Sequence, residues 1–374
     1  MKSASTLLSP GQLIIMGLPG PRLTDGLRSL ITRLQPGGFI LFNRNLESPA
    51  QIFELIAELH SLCAQRPVIT IDQEGGRVSR LKAVGEEPPS GLELGRSGNP
   101  EWCHRHGVCT GQLLQALGFN LNLAPVVDYT LNEQADNSLR GRCYGQNPEQ
   151  VIRLAGAFLE GMQSEGILGT AKHFPGYTHC EIDPHGELPR LTRSQEEIRR
   201  EELTAFRAFV PRAECFMIGH GHFTAWHESP HPASLSRPIV TDLLKKELGY
   251  RGVIMTDDLE MGAIANRYGA AEATRLALEA GEELLLFCHN PACAEIALDQ
   301  IQSMSEEITA PALESVARFK AKLPCPPACF DAAHFRQINE QIRILREEVR
   351  GELTTEDTGS TEGAWGKGRG AFHF

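Results

Sequence analysis

The amino-acid sequence predicts an α/β fold: a (β/α)₈ barrel of the TIM type, formed by a single domain with a C-terminal helical extension. Two observations predict it. Eight short apolar segments of strand length occur along the chain, and each is followed by a turn and a segment with helical periodicity. Strand–helix repeats build a parallel sheet with right-handed crossovers, and eight repeats are the number that closes a barrel.

The predicted strands and helices alternate along the chain. The strands comprise residues 13–16, 38–42, 68–71, 121–127, 168–171, 215–218, 253–255 and 284–287. The intervening amphipathic helices comprise roughly residues 24–34, 50–63, 100–117, 148–165, 195–209, 239–248, 260–280 and 291–306.

The strand–helix pattern ends after Ile308. Prolines between residues 324 and 327 interrupt the chain, and residues 332–349 form a charged segment with helical periodicity. From Glu352 onward the composition is rich in Gly, Ser and Thr, which buries little apolar surface and is typical of disorder. We therefore predict a barrel catalytic domain over residues 1–310, a helical extension packed on the barrel over 311–350, and a disordered tail over 351–374.

Composition and charge exclude several classes of function. The 374 residues contain 36 Lys and Arg against 47 Asp and Glu, for a net charge of −11, which argues against a nucleic-acid partner. Apolar runs fall well short of the roughly 20 residues of a spanning helix, so we expect no membrane partner. The ten cysteines are scattered and we expect no signal peptide, which favours reduced thiols and a cytoplasmic location.

Charged side chains recur where the predicted strands end. This position is informative because the active sites of parallel barrels lie at the carboxyl ends of the strands. Charged or imidazole groups at five successive strand ends indicate a functional site there. They are Asp72 with Arg80 beyond it, Asp128, Lys172 with His173, His220 with His222, and Asp257 with Asp258.

Asp257 has two interpretations. It could be a carboxylate nucleophile at the mouth of a strand. It could also be the N-cap of the following helix, because Asp257 and Glu260 have the spacing of a capping box. Asp258 could take the capping role instead, and the local sequence does not decide between the two neighbours.

The segment 172–185 is the second candidate for chemistry. Its glycine and two prolines predict a loop, and it carries three histidines besides its charged groups. Asp183 and His185 are two residues apart, close enough for the carboxylate to orient the imidazole. Such a pair is suited to general acid/base catalysis, because histidine titrates near neutral pH. The alternative is a solvated surface loop.

Other polar residues are suited to ligand binding. Asp72, Arg80 and Lys172 carry donors and acceptors that fit sugar hydroxyls or an amide, or they could form an internal ion-pair network. His220 and His222 would share one face of a strand. They could line a pocket or be core histidines with satisfied ring nitrogens.

Four long motifs now point to a family. They are IDQEGGRVSRL (71–81), NLNLAPVVD (120–128), KHFPG followed by D-x-H and LP (172–189), and ELGYRGVIMTDDLEM (247–261). Together and in this order they resemble glycoside hydrolase family 3. The resemblance is strongest to its single-domain bacterial β-N-acetylglucosaminidases, the type that acts in peptidoglycan recycling.

The resemblance implies roles for individual residues. It makes Asp257 the nucleophile, His185 the acid/base and Asp183 the partner of His185. It implies that the N-acetylglucosamine unit is bound by Asp72, Arg80, Arg142, Lys172 and His173. The assignment of Arg142 rests on the weakest match, because this chain has RGRCY (140–144) where the family pattern is G-D-R-S-F.

The acid/base loop departs from the family pattern. Tyr177 and Thr178 replace the usual His-Gly, and Pro184 replaces the Ser between the two dyad residues. Because proline fixes its own φ and restricts the residue before it, we expect a stiffer or differently aimed loop.

The resemblance implies a retaining exo-β-N-acetylglucosaminidase that removes terminal β-linked N-acetylglucosamine from peptidoglycan-derived muropeptides or related glycans through a glycosyl-enzyme on Asp257. We expect a small carbohydrate substrate, no metal, no organic cofactor and a monomeric protein. Alternatives within the family are a β-glucosidase or a glycoside phosphorylase. Outside it are a metal-dependent amidohydrolase and a catalytically inactive sugar-binding barrel.

Overall fold

Eight parallel strands close into a barrel, which confirms the predicted fold class. The computed structural model describes residues 9–134, 137–180 and 183–359. Each barrel strand pairs with its neighbours in sequence, and the last strand closes on the first, for example Ile15 opposite Leu286. The strands are β1 (Ile14–Gly17), β2 (Gly38–Leu41), β3 (Val68–Ile71), β4 (Leu121–Asn122), β5 (Leu168–Phe174), β6 (Cys215–Ile218), β7 (Val253–Asp258) and β8 (Leu284–Phe287).

Three strands differ from the prediction by more than one residue at an end. The predicted strand 121–127 pairs continuously only over β4, because Pro125 has no N–H to donate, and the ladder resumes as a single bridge from Val126 to Lys172. In contrast, β5 and β7 extend past their apolar runs to Phe174 and Asp258. The polar residues that ended the predicted strands are therefore held within the sheet.

Helices surround the barrel. They are α1 (Asp25–Leu34), α2 (Pro49–Leu62), α3 (Gly91–Ser97), α4 (Pro100–Leu117), α5 (Pro148–Ser164), α6 (Gln195–Arg200), α7 (Glu202–Phe209), α8 (Gly262–Ala265), α9 (Ala270–Ala280), α10 (Pro291–Ser303), α11 (Glu306–Lys320) and α12 (Ala332–Gly359). A π-helix spans Pro238–Glu247, and short 3₁₀ turns span Pro10–Leu13, Asn43–Asn45, Arg80–Ala83 and Ala233–Leu235. The predicted helices 195–209 and 260–280 are each divided in two.

Two short two-stranded sheets lie outside the barrel, and a continuous apolar core fills it and packs the helices against it. These sheets pair Gln73–Gly75 with Val78–Ser79, and Arg190–Leu191 with His222–Phe223. The barrel strands are buried along almost their whole length. Each helix buries one apolar face, which in α1 includes Ile31 and Leu34. The buried strands hold the polar residues at their carboxyl ends in place.

The last helix packs on the outside of the barrel, against α3 and α4. Its Ile342 and Leu345 are buried, and Arg346 pairs with Glu86 at 2.8 Å. The division into barrel domain, extension and tail stays a prediction. Residue 310 lies inside α11, so we propose that the barrel domain ends after Lys320.

The predicted start of the tail at residue 351 lies inside α12, so we propose that the helical extension continues to Gly359. The rest of the predicted tail, residues 360–374, lies outside the described residues. None of the ten cysteines, all of which lie in the described residues, forms a disulfide bond. In the described part of the chain, every helix is too short or too polar to span a bilayer.

Candidate active site

The carboxyl ends of the strands surround a pocket of about 320 Å³. All eight residues predicted for catalysis or sugar binding line it. They are Asp72, Arg80, Arg142, Lys172, His173, Asp183, His185 and Asp257. The structure therefore brings together residues that lie up to 185 positions apart in the sequence, from Asp72 to Asp257.

Asp257 is the penultimate residue of β7, and its side chain faces the pocket. Its Oδ1 atom accepts a hydrogen bond of 2.8 Å from the N–H of Asp258. Burial alone would raise the pKa of Asp257, but the His220 and His173 imidazoles and this N–H lower it below its usual value. Asp257 is therefore an ionised carboxylate at neutral pH, the state that a nucleophile requires.

Neither Asp257 nor Asp258 caps the following helix α8, whose N-cap is Met261 without a side-chain hydrogen bond, so the capping interpretation is wrong for both. Asp258 instead holds the turn between β7 and α8. Its Oδ1 atom accepts hydrogen bonds from the N–H groups of Glu260, at 3.0 Å, and Cys288, at 3.3 Å. Its Oδ2 atom lies 3.2 Å from Nε2 of His289. Burial raises the pKa of Asp258 to about 6. The turn after β7 is therefore held by Asp258, which leaves Asp257 available to a ligand.

Asp183 and His185 form the predicted pair. Nδ1 of His185 lies 2.7 Å from Oδ1 of Asp183, and the same oxygen accepts the backbone N–H of His185 at 3.0 Å. Burial would raise the pKa of Asp183, but these two contacts with His185 lower it. The ionised carboxylate holds Nδ1 of the ring, so Nε2 is the nitrogen suited to exchange a proton with a ligand.

An ion-pair network forms one wall of the pocket. Nζ of Lys172 lies 2.8 Å from Oδ1 of Asp72 and 2.6 Å from Oε1 of Glu74. The guanidinium of Arg142 donates to both carboxylate oxygens of Glu74 at 2.8 Å, and Arg80 contacts Asp72 at 3.3 Å. These residues therefore form the internal ion-pair network that was one of the two interpretations. Asp72, Arg80, Arg142 and Lys172 also line the pocket, and their role in ligand binding stays a prediction.

Comparison with known proteins places this site in a family. Residues 9–319 match the family model described as the glycosyl hydrolase family 3 N-terminal domain. This chain belongs to glycoside hydrolase family 3. It is 35% identical over 294 residues to a β-hexosaminidase from Pseudomonas aeruginosa, a match that covers 78% of this chain and 86% of the relative.

Two solved structures extend the family 3 comparison. A β-N-acetylglucosaminidase of the same family from Paenibacillus sp. superposes with a TM-score of 0.81 and 34% identity, covering 90% of this chain and 68% of that one. NagZ from Neisseria gonorrhoeae gives a TM-score of 0.77 and 26% identity, covering 90% of this chain and 98% of that one. The chain is thus a glycoside hydrolase with the barrel architecture of this family.

Glu74 pairs with two residues of the pocket lining, Arg142 and Lys172, and no role is predicted for it from the sequence. Burial would raise its pKa, but Arg142 and Lys172 lower it to about 2, so Glu74 is ionised and neutralises two buried cations. Burial is likewise outweighed at Asp72, whose pKa is held well below its usual value by Lys172 and Arg80. The signal in the sequence was spacing, because Glu74 follows Asp72 by two positions and shares its side of an extended chain.

Replacing Glu74 by glutamine should destabilise the fold. The substitution keeps the size of the side chain but leaves Arg142 and Lys172 without one negative charge. Breaking a buried ion pair in this way costs about 3–5 kcal/mol of unfolding free energy. Chemical denaturation at pH 7 measures it. Glu47→Gln is the matched control, since the Arg22–Glu47 pair is exposed at 78% and 49% and should change stability by less than about 1 kcal/mol.

His173 is oriented by Asp128, the residue predicted at the end of the fourth strand. Nδ1 of His173 lies 2.9 Å from Oδ2 of Asp128, and Nε2 lies 3.4 Å from Nη2 of Arg142. Because arginine can only donate, Nε2 is the acceptor and Nδ1 carries the proton given to Asp128. Asp128 also accepts the N–H of Tyr177 at 2.6 Å. One carboxylate therefore supports both His173 and the start of the loop that carries Asp183 and His185.

Tyr177, at the position where the family resemblance implies a histidine, has a buried side chain. Its ring packs over Gly219, where a Cβ would lie 2.5 Å from the ring, and against His173, with ring centroids 5.2 Å apart. Its hydroxyl accepts the backbone N–H of His220. The large ring of Tyr177 is therefore accommodated by Gly219, which follows the neighbouring strand β6 and has no side chain.

His220 and His222 are buried side chains bonded to protein atoms. Nε2 of His220 donates to the carbonyl of Asp258 at 2.8 Å, and Nδ1 contacts the hydroxyl of Ser234 at 2.8 Å. Nε2 of His222 donates to the carbonyl of His227 at 3.0 Å. His220 thus braces the backbone beside the proposed nucleophile, and both of its ring nitrogens are engaged by protein atoms.

One further cluster in the described part of the chain has the residue types of a metal site. Ligand atoms of His179, Glu201 and Glu202 lie within 4.8 Å of one another. Arg193 already occupies this cluster, with Nη1 placed 2.8 Å from Nε2 of His179 and Nη2 bonded to Glu201. The guanidinium supplies the positive charge, so the residues fit an ion-pair cluster better than a metal centre.

Proposed function

We propose that this protein is a retaining exo-β-N-acetylglucosaminidase. The observation that carries the proposal is the meeting of the ionised carboxylate of Asp257 and the His185–Asp183 pair in one pocket. The volume of about 320 Å³ is at the small end of ligand pockets, which suits a single terminal sugar unit. The names of the family relatives support N-acetylglucosamine as that unit.

In the first step, a carboxylate oxygen of Asp257 attacks the anomeric carbon and the bond to the leaving oxygen breaks. Nε2 of His185 gives its proton to that oxygen, which produces a glycosyl ester on Asp257. In the second step, His185 takes a proton from water, whose oxygen attacks the anomeric carbon and releases Asp257. The scheme is that of retaining glycosidases, with a histidine in place of the usual carboxylic acid.

The other predicted residues bind and orient. Asp183 holds the imidazole and stabilises its charged form. Asp72, Arg80, Arg142, Lys172 and His173 offer donors and acceptors for the hydroxyl and acetamido groups of the sugar. As physiological substrates we propose muropeptides of peptidoglycan recycling or related glycans, in the cytoplasm.

The proposal predicts how activity depends on pH. Asp258 takes up a proton as the pH falls through about 6, which removes a negative charge beside Asp257, where positive charge develops on the sugar. We expect kcat/KM to decline on the acid side near pH 6. In Asp258→Asn, whose amide oxygen can still accept the two backbone N–H groups, the acid limb should move to lower pH. Profiles of kcat/KM for both proteins measure this, and an unchanged acid limb would contradict the assignment.

A panel of aryl glycosides tests the function directly. We expect rapid release of aryl alcohol from the β-N-acetylglucosaminide, slow release from the β-glucoside, and no dependence on phosphate or a chelator. Preference for the glucoside identifies a β-glucosidase, dependence on phosphate identifies a phosphorylase, and loss of activity with a chelator supports a metal enzyme. Sugar binding without turnover supports an inactive barrel, and each of these four results overturns the proposal.

A further inference from the structure

The acid/base loop is docked through its backbone on the segment that follows β7. The carbonyl of His185 accepts the N–H of Gly262 at 3.0 Å, and the carbonyl of Pro184 accepts the N–H of Ala263 at 3.3 Å. The side-chain amide of Asn266 donates to the carbonyl of Gly186 at 3.1 Å. Three consecutive carbonyls of the loop are therefore held by the segment that begins five residues after Asp257.

This docking depends on the absence of a side chain at residue 262. A Cβ built on Gly262 would lie 2.3 Å from the carbonyl oxygen of Gly186 and 2.8 Å from that of His185. Real Cβ atoms do not approach backbone atoms this closely, and here the neighbour is backbone rather than the end of a flexible side chain. Any larger residue at this position must push the loop away.

The dyad side chains need this support because packing does little to hold them. The side chains of His185 and Asp183 are 71% and 53% exposed. Their mutual contact fixes the ring relative to Asp183 but leaves the pair free to move with the loop. The position of the imidazole relative to Asp257 is therefore set by where the loop backbone docks.

We propose that Gly262 is a positioning residue for catalysis. Its missing side chain lets the loop at residues 183–186 dock, and this docking directs His185 toward the glycosidic bond whose anomeric carbon Asp257 attacks. The inference rests on the proposed function, since it needs His185 to be the acid/base. The same segment that carries Asp257 thus also holds the group that must act with it.

Gly262→Ala tests the proposal through the dependence on the leaving group. A displaced acid should lower kcat/KM for an unactivated aglycone, such as a methyl or disaccharide β-N-acetylglucosaminide, by about 10²-fold. With a dinitrophenyl leaving group, which needs no protonation, kcat/KM should fall by less than about threefold, since acid catalysis contributes little to that step. Asn266→Ala removes one of the three hydrogen bonds and should give a smaller loss, about twofold to tenfold, with the same selectivity.

Gly269→Ala is the matched control. It adds the same methyl group a few residues later on the same connection, where a Cβ meets nothing within 4 Å, and it should match the parent with both substrates. Equal losses of the two activities in Gly262→Ala would indicate a merely structural role and overturn the proposal, as would parent-like kinetics. If Gly262→Ala fails to fold, unselective or absent loss in Asn266→Ala overturns it. A parent enzyme that turns over neither substrate refutes the proposed function instead.

Discussion

Asp257→Asn is expected to lower kcat/KM for an aryl β-N-acetylglucosaminide by roughly 10⁴-fold or more, as is typical when a catalytic nucleophile is removed. The amide is a poor nucleophile, but its oxygen can still accept the N–H of Asp258, so the fold should persist. Steady-state kinetics and thermal unfolding of the same preparation separate loss of chemistry from loss of structure.

A surface substitution of the same kind is the control for Asp257→Asn. Asp242 is exposed and pairs with Lys246 on the outside of the barrel, so Asp242→Asn should keep parent activity. An Asp257→Asn enzyme within tenfold of the parent would show that another group attacks the sugar.

His185→Ala should give the second largest loss, about 10²- to 10⁴-fold in kcat/KM for substrates with poor leaving groups. The deficit should shrink as the leaving group becomes more acidic, because an aglycone that departs as a stable anion needs no proton. The second step still lacks its base, so added azide, a nucleophile that needs no deprotonation, should raise kcat with activated substrates. Kinetics over a series of aryl leaving groups, with and without azide, measure both effects.

Two further variants delimit the role of His185. Asp183→Asn leaves the imidazole in place but removes the charge at 2.7 Å from Nδ1, so it should show the same trend with a smaller loss. His334→Ala removes an exposed histidine of α12 and should change nothing. A loss in His185→Ala that is uniform across leaving groups and insensitive to azide would exclude an acid/base role.

The fold and much of the site could be predicted because the chemistry coincides with the strand ends. Lys172 directly follows an apolar run, and Asp257 is separated from another only by Thr256. A parallel barrel must bring such positions to one rim. The polar character of Lys172 and Asp257 also explains why β5 and β7 were predicted too short. Both residues lie within strands in the structure, although their side chains interrupt the apolar pattern. Asp257 and Asp258 could be told apart only once the hydrogen bonds of the turn were known.

Other parts of the site could not be predicted from local patterns. Arg142 lies on a loop between β4 and α5, where neither periodicity nor a strand end marks it, and only the family resemblance indicated it. The docking of His185 on Gly262 joins residues 77 positions apart through a backbone hydrogen bond. Such a bond does not depend on side-chain type, so no residue pattern in the sequence indicates it. Such contacts require the tertiary structure.

The central claim is that Asp257 forms a covalent glycosyl-enzyme, and trapping that intermediate tests it most directly. A 5-fluoro N-acetylglucosaminyl fluoride slows both steps but loads the enzyme quickly because its leaving group is good, so the ester should accumulate. Intact-protein mass spectrometry should show one added sugar, and peptide mapping should place it on Asp257. A label on any other residue, or rapid turnover of the reagent by an enzyme that never acquires a label, would contradict the account.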